Sequence, residues 1–189
     1  MRRLAPKGRH VGVEPTPKKH AHLVRKFPGT LVLPYAAGDR NADVEFHIDD
    51  RASGYNSLGR ARDGARTVTV PMRRLDGALP EDFELGFVKV DVEGAELIAL
   101  RGMERLIART RPSILFECAV ARPLEGGGVE GDDLFAYLTE ELGYDVYGPI
   151  DLMHGRPPFT LQEFRRRRTF PASGWNNVAV PRERSAPLA

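Results

Sequence analysis

The fold is decided by the stretch FVKVDVEGAE, which spans residues 87–96. An apolar run at 87–90 leads into two acids, Asp91 and Glu93, and then a glycine precedes a pattern that is typical of a helix. In open α/β sheets, ligands bind at the carboxyl ends of strands, where strand ends, loops and helix starts converge. The stretch therefore predicts an α/β protein that delivers carboxylates to a site at the edge of its sheet.

Composition indicates one globular domain over residues 1–189. Of these residues 41% are hydrophobic and 29% are charged, which favours a folded core over disorder. The net charge of +2 gives no argument for a nucleic-acid or membrane partner. No apolar run approaches the roughly 20 residues that a bilayer-spanning helix needs. Cys118 is the single cysteine, which excludes an intrachain disulfide and fits a cytoplasmic location.

The order of predicted elements favours a mainly parallel sheet with helices on both faces. The apolar run at 87–90 suits a central strand of such a sheet. The alternating runs at 44–48 and 67–71 suit two strands with one solvent-exposed face, as in a hairpin or an excursion at the edge of the sheet. The pattern predicts strands at 10–13, 30–33, 44–48, 67–71, 87–90, 113–116, 144–147 and 177–180, helices at 17–26, 94–109 and 132–142, and a helical turn at 74–79.

Four stretches together resemble the FkbM-type methyltransferases, which use S-adenosylmethionine. HVGVEPTP at 10–17 resembles the family's second strand with its acidic end, and LPYAAGD at 33–39 resembles the third strand and the adenine loop. Residues 87–102 resemble the fourth strand and its helix, and RPSILFE at 111–117 resembles the fifth strand. The resemblance implies a Rossmann-like class I methyltransferase, a three-layer α/β sandwich.

The resemblance also implies a first strand followed by a glycine-rich turn, and no such turn precedes Glu14. In the family's fold that strand lies between the second and fourth strands, and its turn wraps the methionine part of the cofactor. We therefore expect a domain that lacks this piece. The strands at 10–13 and 87–90 would each be short of one neighbour, so they could pair directly or leave a slot open between them.

Candidate cofactor contacts follow the two earlier strands of the resemblance. Glu14 stands where an acid would accept hydrogen bonds from both ribose hydroxyls, with Pro15 beside it. Ala36 and Ala37 are small enough for the backbone to approach an adenine ring, and Asp39 could reach its amino group. The alternatives are a solvated strand-end charge at Glu14 and a tight turn that needs the same small residues for its geometry.

Asp91 and Glu93 are the candidate catalytic pair, and Asp91 is also a candidate cofactor contact. Methyl transfer to a hydroxyl needs a group that takes the proton, and a carboxylate at this strand end could take it. It could also face the sulfonium or hold a metal. Alternatively, Glu93 and Glu96 only favour the positive end of the following helix. Lys89 is expected to pair with a neighbouring acid.

Three further residues are candidates for the acceptor pocket. Glu117 ends the next strand at the same edge, although a salt bridge is its alternative role. Asn56 and Ser57 lie in a polar loop that could fold over the cofactor or stay solvated. The histidines lack zinc-site spacing, so no metal is predicted. The arginines at 165–168 could meet phosphate, but a solvated helix face is the commoner arrangement.

The sequence thus predicts an S-adenosylmethionine-dependent O-methyltransferase that acts on a hydroxyl of a sugar, polyketide or other secondary metabolite. A second hypothesis is a catalytically silent fragment or remnant of such an enzyme, with little cofactor binding. A nicotinamide dehydrogenase is a weaker third hypothesis. An acid after an early strand is shared by both cofactor classes, but the sequence offers no set of hydride-transfer residues.

Overall fold

The computed structural model describes residues 5–49, 58, 64–118, 131–168 and 175–185. Over these ranges the chain folds into strands and helices in an α/β order. The strands are β1 (Val11–Val13), β2 (Leu31–Leu33), β3 (Ala36–Ala37), β4 (Ala42–Ile48), β5 (Arg66–Arg73), β6 (Phe87–Val90), β7 (Ser113–Glu117), β8 (Tyr144–Tyr147) and β9 (Asn176–Pro181). The helices are α1 (Pro17–Lys26), α2 (Glu96–Arg101), α3 (Glu104–Thr110), α4 (Gly131–Ala136), α5 (Pro149–Met153) and α6 (Leu161–Arg168). Short 3₁₀ turns cover Leu75–Gly77 and Arg182–Arg184, and a π-helical turn, Tyr137–Glu141, continues α4.

Hydrogen bonding divides the described strands into three sheets. β1 pairs with β2 in parallel, and β5 pairs with β3 in parallel and with β4 antiparallel. The third sheet has the order β6-β7-β9-β8, in which β6 and β7 are parallel and β9 runs antiparallel to both its neighbours. The sheets are therefore mixed, and the expectation of a mainly parallel sheet is wrong. The cause is the return of the chain through α5 and α6, which inserts β9 in reverse between β7 and β8.

β1 and β6 are not paired with each other in the part of the chain described, and each has one hydrogen-bonded neighbour there. Of the two outcomes expected for these strands, direct pairing does not occur. β6 was predicted as a central strand but lies at the edge of its sheet. Phe87 is 39% exposed as a result, and Leu31 on β2 is 51% exposed.

One core nevertheless joins the two-stranded and four-stranded sheets. It is built around fully buried side chains such as Leu100, Ile114 and Phe116, and Val13 and Leu33 of the two-stranded sheet pack against it. A smaller cluster under the β4–β5 hairpin includes the buried side chains of Phe46, Val70 and Met72. The hairpin predicted from the alternating runs is confirmed by the antiparallel register of β4 and β5.

The single helix predicted after β6 is two helices, with a break at Gly102. A Cβ atom on Gly102 would lie 2.0 Å from the carbonyl oxygen of Gly38, so only glycine lets the loop after β3 pack there. The Gly102 carbonyl accepts the Asp76 N–H at 3.0 Å, and the Asp76 carboxylate accepts the Leu106 N–H at 3.0 Å. Asp76 thus binds a free N–H in the first turn of α3. The apolar periodicity continues across the break, which explains the prediction of one helix.

The arginines of α6 bind acids on neighbouring helices. Arg165 and Arg168 reach Asp132 at the start of α4, at 2.6 and 2.7 Å, and Arg167 reaches Asp151 of α5 at 3.2 Å. Asp151 is buried, so its charge is compensated within the fold. The arginines do lie on a helix, which is the commoner arrangement named for such a run. Three of them join α6 to α4 and α5, whereas Arg166 pairs with Glu163 of α6 itself.

Within the described ranges, no helix has the length and apolar character needed to cross a bilayer.

The open edges of β1 and β6 predict self-association of this chain, because exposed strand edges pair with other chains. Light scattering after size exclusion should show oligomers that grow with concentration. Phe87→Lys, which puts a charge at the edge of β6, should shift the distribution toward monomer. Ile150→Lys is the matched control, since Ile150 is 64% exposed on α5, away from both edges. A monomer at every concentration would contradict the prediction.

Candidate functional site

The carboxyl ends of β1 and β6 open on one cavity of about 280 Å³, which we call the strand-end cavity. Its walls come from the end of β1, from β3 and from the turn after β6, with Phe46 and Leu58 adding apolar surface. Six residues predicted from the sequence line it, namely Glu14, Pro15, Ala36, Ala37, Asp91 and Glu93. Segments that are far apart in the chain therefore bring three carboxylates to one cavity.

Glu14 is held at the junction of β1 and α1. Its N–H donates to the carbonyl of Leu33 at 3.0 Å, which continues the pairing with β2. Its Oε1 accepts the Thr16 N–H at 2.7 Å and also the Thr16 hydroxyl. Pro17 at the first helical position then fixes the start of α1. The carboxylate is thus oriented by the turn that it precedes.

The turn after β6 is held by Glu96, a residue whose burial the sequence did not indicate. Glu96 is 6% exposed, and its Oε1 accepts the N–H groups of Val92 and Gly94, both at 3.2 Å. These bonds close a turn in which Glu93 (φ 55°) and Gly94 (φ 96°) both have left-handed backbone conformations. A non-glycine residue costs free energy in that region, so the Glu96 contacts stabilise a strained turn.

Burial raises the pKa of Glu96, and the nearby Asp91 carboxylate adds to that effect. The backbone N–H groups that Glu96 binds act in the opposite direction, but burial is the larger cause. Glu96 therefore does more than favour the positive end of α2, which was the alternative role named for it.

Asp91 forms an ion pair with Lys89, as expected for that lysine, and Lys89 Nζ lies 2.5 Å from Asp91 Oδ2. Both residues are on the same face of β6, because alternate residues of a strand share a face. Asp91 Oδ1 accepts no hydrogen bond from the described residues. Among those same residues, no three His, Cys, Asp or Glu side chains come close enough together to hold a metal ion.

β3 contributes Ala36 and Ala37 to the wall of the strand-end cavity. Ala36 is buried against the hairpin, and Ala37 is half-buried. A Cβ atom on the next residue, Gly38, would lie 2.2 Å from the Met72 sulfur, so this glycine is required by packing. Asp39 is not in the lining of the strand-end cavity. Its carboxylate pairs with Arg40 at 3.1 Å, and its contact with adenine stays a prediction.

The acceptor-pocket candidates are only partly described. Glu117 is half-buried at the end of β7, and it follows Phe116, which pairs with Val90. It therefore lies beside Asp91 at the carboxyl edge of the sheet, although it does not line the strand-end cavity. Asn56 and Ser57 lie outside the described residues.

Cys118, one residue after β7, is buried, and burial raises the pKa of its thiol to about 11. A thiol that stays protonated at neutral pH is a poor nucleophile. Cys118 is therefore a packing residue of the core.

A second and larger cavity of about 810 Å³ lies between α1 and the β4–β5 hairpin, and we call it the α1 cavity. It shares Glu14 and Lys19 with the strand-end cavity, so the two adjoin. No pattern in the sequence indicates this cavity, because its walls are contributed by a helix and a hairpin that lie far apart in the chain.

Replacement of Glu96 tests how the turn after β6 is held. Glu96→Ala removes the acceptor for two N–H groups and should lower the free energy of unfolding by about 1–3 kcal/mol. Glu96→Gln keeps an acceptor oxygen and should cost less. Glu104→Gln, which changes an exposed carboxyl on α3, is the matched control. Denaturant unfolding followed by circular dichroism measures all three.

The raised pKa of Glu96 also predicts a pH dependence. The folded state binds the proton of the Glu96 carboxyl more tightly than the unfolded state does. The protonated Glu96 therefore makes its full contribution to the free energy of unfolding below pH 4.5, the ordinary pKa of a glutamate. That contribution is lost as the pH rises through the pKa of Glu96 in the folded state. Glu96→Gln lacks this titration. The wild type should therefore lose stability relative to Glu96→Gln between acidic and neutral pH. A constant difference between the two curves would contradict the prediction.

Comparisons with known proteins identify the family and a structure of similar fold. A comparison with curated proteins finds no significant match. The crystal structure of methyltransferase FkbM from Methylobacillus flagellatus is similar in fold, with a TM-score of 0.50 and 16% sequence identity. The match covers 91% of this chain but 36% of that one, so this chain spans about a third of the length of that structure. Residues 1–146 match the family described as the methyltransferase FkbM domain. The chain therefore belongs to the FkbM methyltransferase family.

Proposed function

We propose that this chain forms the cofactor site of an S-adenosylmethionine-dependent O-methyltransferase, and that the strand-end cavity is that site. One observation carries the proposal: Glu14, Asp91 and Glu93 line the same cavity, although they come from strands far apart in the chain. The ends of strands are where ligands bind in open α/β sheets. Membership of the FkbM family supports the same activity.

The proposal includes a Rossmann-like class I architecture. In this arrangement β2 and β1 form one half of a doubly wound sheet, and β6 and β7 begin the other half. The shared core supports it, because Val13 and Leu33 pack against the same cluster that contains Val90 and Phe116. The gap between β1 and β6 then lies at the topological switch point, where the strand order reverses.

The residues present fit the adenosine and the sulfonium of the cofactor. Glu14 Oε1 is engaged by Thr16, and among the described residues Glu14 Oε2 accepts no hydrogen bond. An unused carboxylate oxygen can accept a hydrogen bond from a ribose hydroxyl. Pro15, Ala36 and Ala37 would contact the adenosine, and the carboxylates of Asp91 and Glu93 would face a positive charge.

S-adenosylmethionine, when bound, would supply a methyl group on a sulfonium sulfur. The acceptor oxygen would bond to the methyl carbon, and the carbon–sulfur bond would break with its electron pair left on sulfur. The hydroxyl proton must leave the acceptor, and we assign it to Asp91. The Lys89 ammonium holds Asp91 Oδ2, which leaves Oδ1 to take the proton. The proposed acceptor is the hydroxyl of a sugar, polyketide or other secondary metabolite. Glu117 and the predicted residues Asn56 and Ser57 would line the pocket for this acceptor.

A cytoplasmic location remains part of the proposal.

Titration calorimetry with S-adenosylmethionine tests the cofactor site. We expect a binding heat for the chain, and Glu14→Gln should weaken binding by roughly tenfold or more, because a hydrogen bond to a charged group is worth about 1.5–3 kcal/mol. Glu45→Gln is the matched control, since Glu45 is an exposed acid on β4 outside the strand-end cavity. Absence of any binding heat, in a sample shown to be folded by circular dichroism, would overturn the proposal.

Replacement of the proposed base separates binding from chemistry. Asp91→Asn should lower the rate of methyl transfer to a hydroxyl acceptor by about 10²–10⁴, the usual contribution of a general base. S-adenosylmethionine binding should weaken by a smaller factor, because the amide keeps the shape of the cavity wall and Glu93 still faces the sulfonium, although the Asp91 charge is lost. Transfer of labelled methyl to a panel of sugar and polyketide alcohols measures the rate. Equal rates in the two proteins would show that Asp91 is not the base.

A further inference from the structure

Apolar side chains are exposed together where α1 meets β2. The described part of the chain has seven large apolar side chains that are exposed, and three of them, Val24, Phe27 and Leu31, fall within eight consecutive residues. These three are between 38% and 51% exposed. Single exposed apolar residues are ordinary on a protein surface, whereas a group of them marks a binding surface. We call Val24, Arg25, Lys26, Phe27 and Leu31 the α1–β2 patch.

The backbone brings the three apolar side chains to one end of the unit formed by α1 and β2. Val24 lies in the last turn of α1, and Phe27 follows the helix directly, three residues further on. A turn then reverses the chain, in which the Thr30 N–H donates to the Phe27 carbonyl at 3.1 Å and Gly29 has a left-handed backbone conformation (φ 80°). β2 begins at Leu31, immediately after this turn. The patch is therefore one continuous surface at the end of a helix–turn–strand unit.

The patch is positively charged, although the net charge of the chain is small. Residues 15–38 contain four lysines and arginines and no Asp or Glu. Two of the four cations line the α1 cavity, where acids also lie, and do not belong to the patch. Arg25 and Lys26 lie outside that cavity. Within the described part of the chain, the Arg25 side chain takes part in no ion pair or hydrogen bond, and Lys26 Nζ lies 5.5 Å from the centre of the Phe27 ring.

The combination of charge and apolar surface selects among possible partners. Cations in the last turn of a helix favour its dipole, which explains Arg25 and Lys26 but not the exposed apolar side chains beside them. A nucleic acid would attract the two cations but would offer Val24 and Leu31 no apolar surroundings. A bilayer with anionic lipids offers both a negative surface and an apolar layer beneath it.

We propose that the α1–β2 patch binds the surface of a bilayer that contains anionic lipids. The apolar side chains of Val24, Phe27 and Leu31 would enter the boundary between headgroups and acyl chains. Arg25 and Lys26 would lie among the anionic headgroups. Two cations and three partly exposed apolar side chains give weak and reversible binding, so the contact is peripheral. The inference does not depend on the proposed methyl transfer.

Vesicle flotation with the full chain tests the inference, because oligomers of the protein alone do not float with lipid. Vesicles of phosphatidylcholine with about 30% phosphatidylserine should carry the chain upward, and vesicles of phosphatidylcholine alone should bind it at least roughly tenfold more weakly. Binding to the anionic vesicles should fall as the ionic strength rises from about 50 mM to about 500 mM, because salt screens exposed charges.

Three variants separate the contributions of charge and apolar surface. A double variant with Arg25→Gln and Lys26→Gln should weaken binding to anionic vesicles roughly tenfold or more, since each cation near the surface contributes about fivefold. Phe27→Ser should weaken it roughly five- to tenfold, because a large apolar side chain no longer enters the bilayer. Val24→Ser should act in the same direction at a position that is more exposed in the folded chain. Circular dichroism checks that each variant is folded.

Arg184→Gln and Ile150→Ser are the matched controls, because they remove an exposed cation and an exposed apolar side chain from the carboxyl-terminal part of the chain. Flotation of both controls at the wild-type level, with weaker flotation of the patch variants, would support the inference. Equal binding to the two kinds of vesicle, no flotation of the folded chain, or equal effects of patch and control variants would overturn it. Unchanged flotation of both Val24→Ser and Phe27→Ser would also overturn it, because the partner would then recognise charge alone, as a nucleic acid does.

Discussion

The geometry of the site depends on two hydrogen bonds that the buried Glu96 carboxylate accepts from the N–H groups of Val92 and Gly94. They close a turn whose backbone is strained at Glu93, and that turn fixes where the chain leaves β6 and enters α2. The position of Asp91 follows from it, because Asp91 lies between the end of β6 and the turn. A carboxylate with no direct contact to the cavity therefore determines the arrangement of the carboxylates that line it.

A second constraint joins the parts of the molecule that hydrogen bonds leave separate. β1 and β6 lie in different sheets, yet Val13 and Val90 belong to one apolar cluster. Apolar contact is not directional, so it can hold the two sheets together while the backbone groups at their edges stay unpaired with each other. The same arrangement lets Glu14 and Asp91 line one cavity although they follow strands of different sheets. The separation of the sheets and the existence of the strand-end cavity thus have a common origin.

The sequence predicts local features better than the relations between distant segments. Strand ends such as those at Glu14 and Asp91 are signalled by an apolar run that stops at an acid, and the structure places both residues at one cavity. The direction of β9 was missed because the alternation of apolar residues is the same in parallel and antiparallel strands. The burial of Glu96 was missed because an acid in the first turn of a helix is ordinary on a surface. The ion pair between Asp39 and Arg40 was also missed, because adjacent residues of opposite charge do not by themselves predict that their side chains meet.

The arginines of α6 have a consequence for how the carboxyl-terminal part of the chain opens. Arg168 and Arg165 bind Asp132 at the start of α4, and Arg167 binds the buried Asp151 of α5. A Cβ atom on Gly131 would lie 2.0 Å from the Arg168 guanidinium, so the guanidinium occupies the space that a side chain at this position would need. Release of α6 would take both arginines from Asp132 and would take Arg167 from the buried Asp151, which would keep only Arg156. The three helices are therefore coupled into a single cooperative unit of local unfolding, and amide hydrogens in all of them would exchange with solvent through one shared opening event.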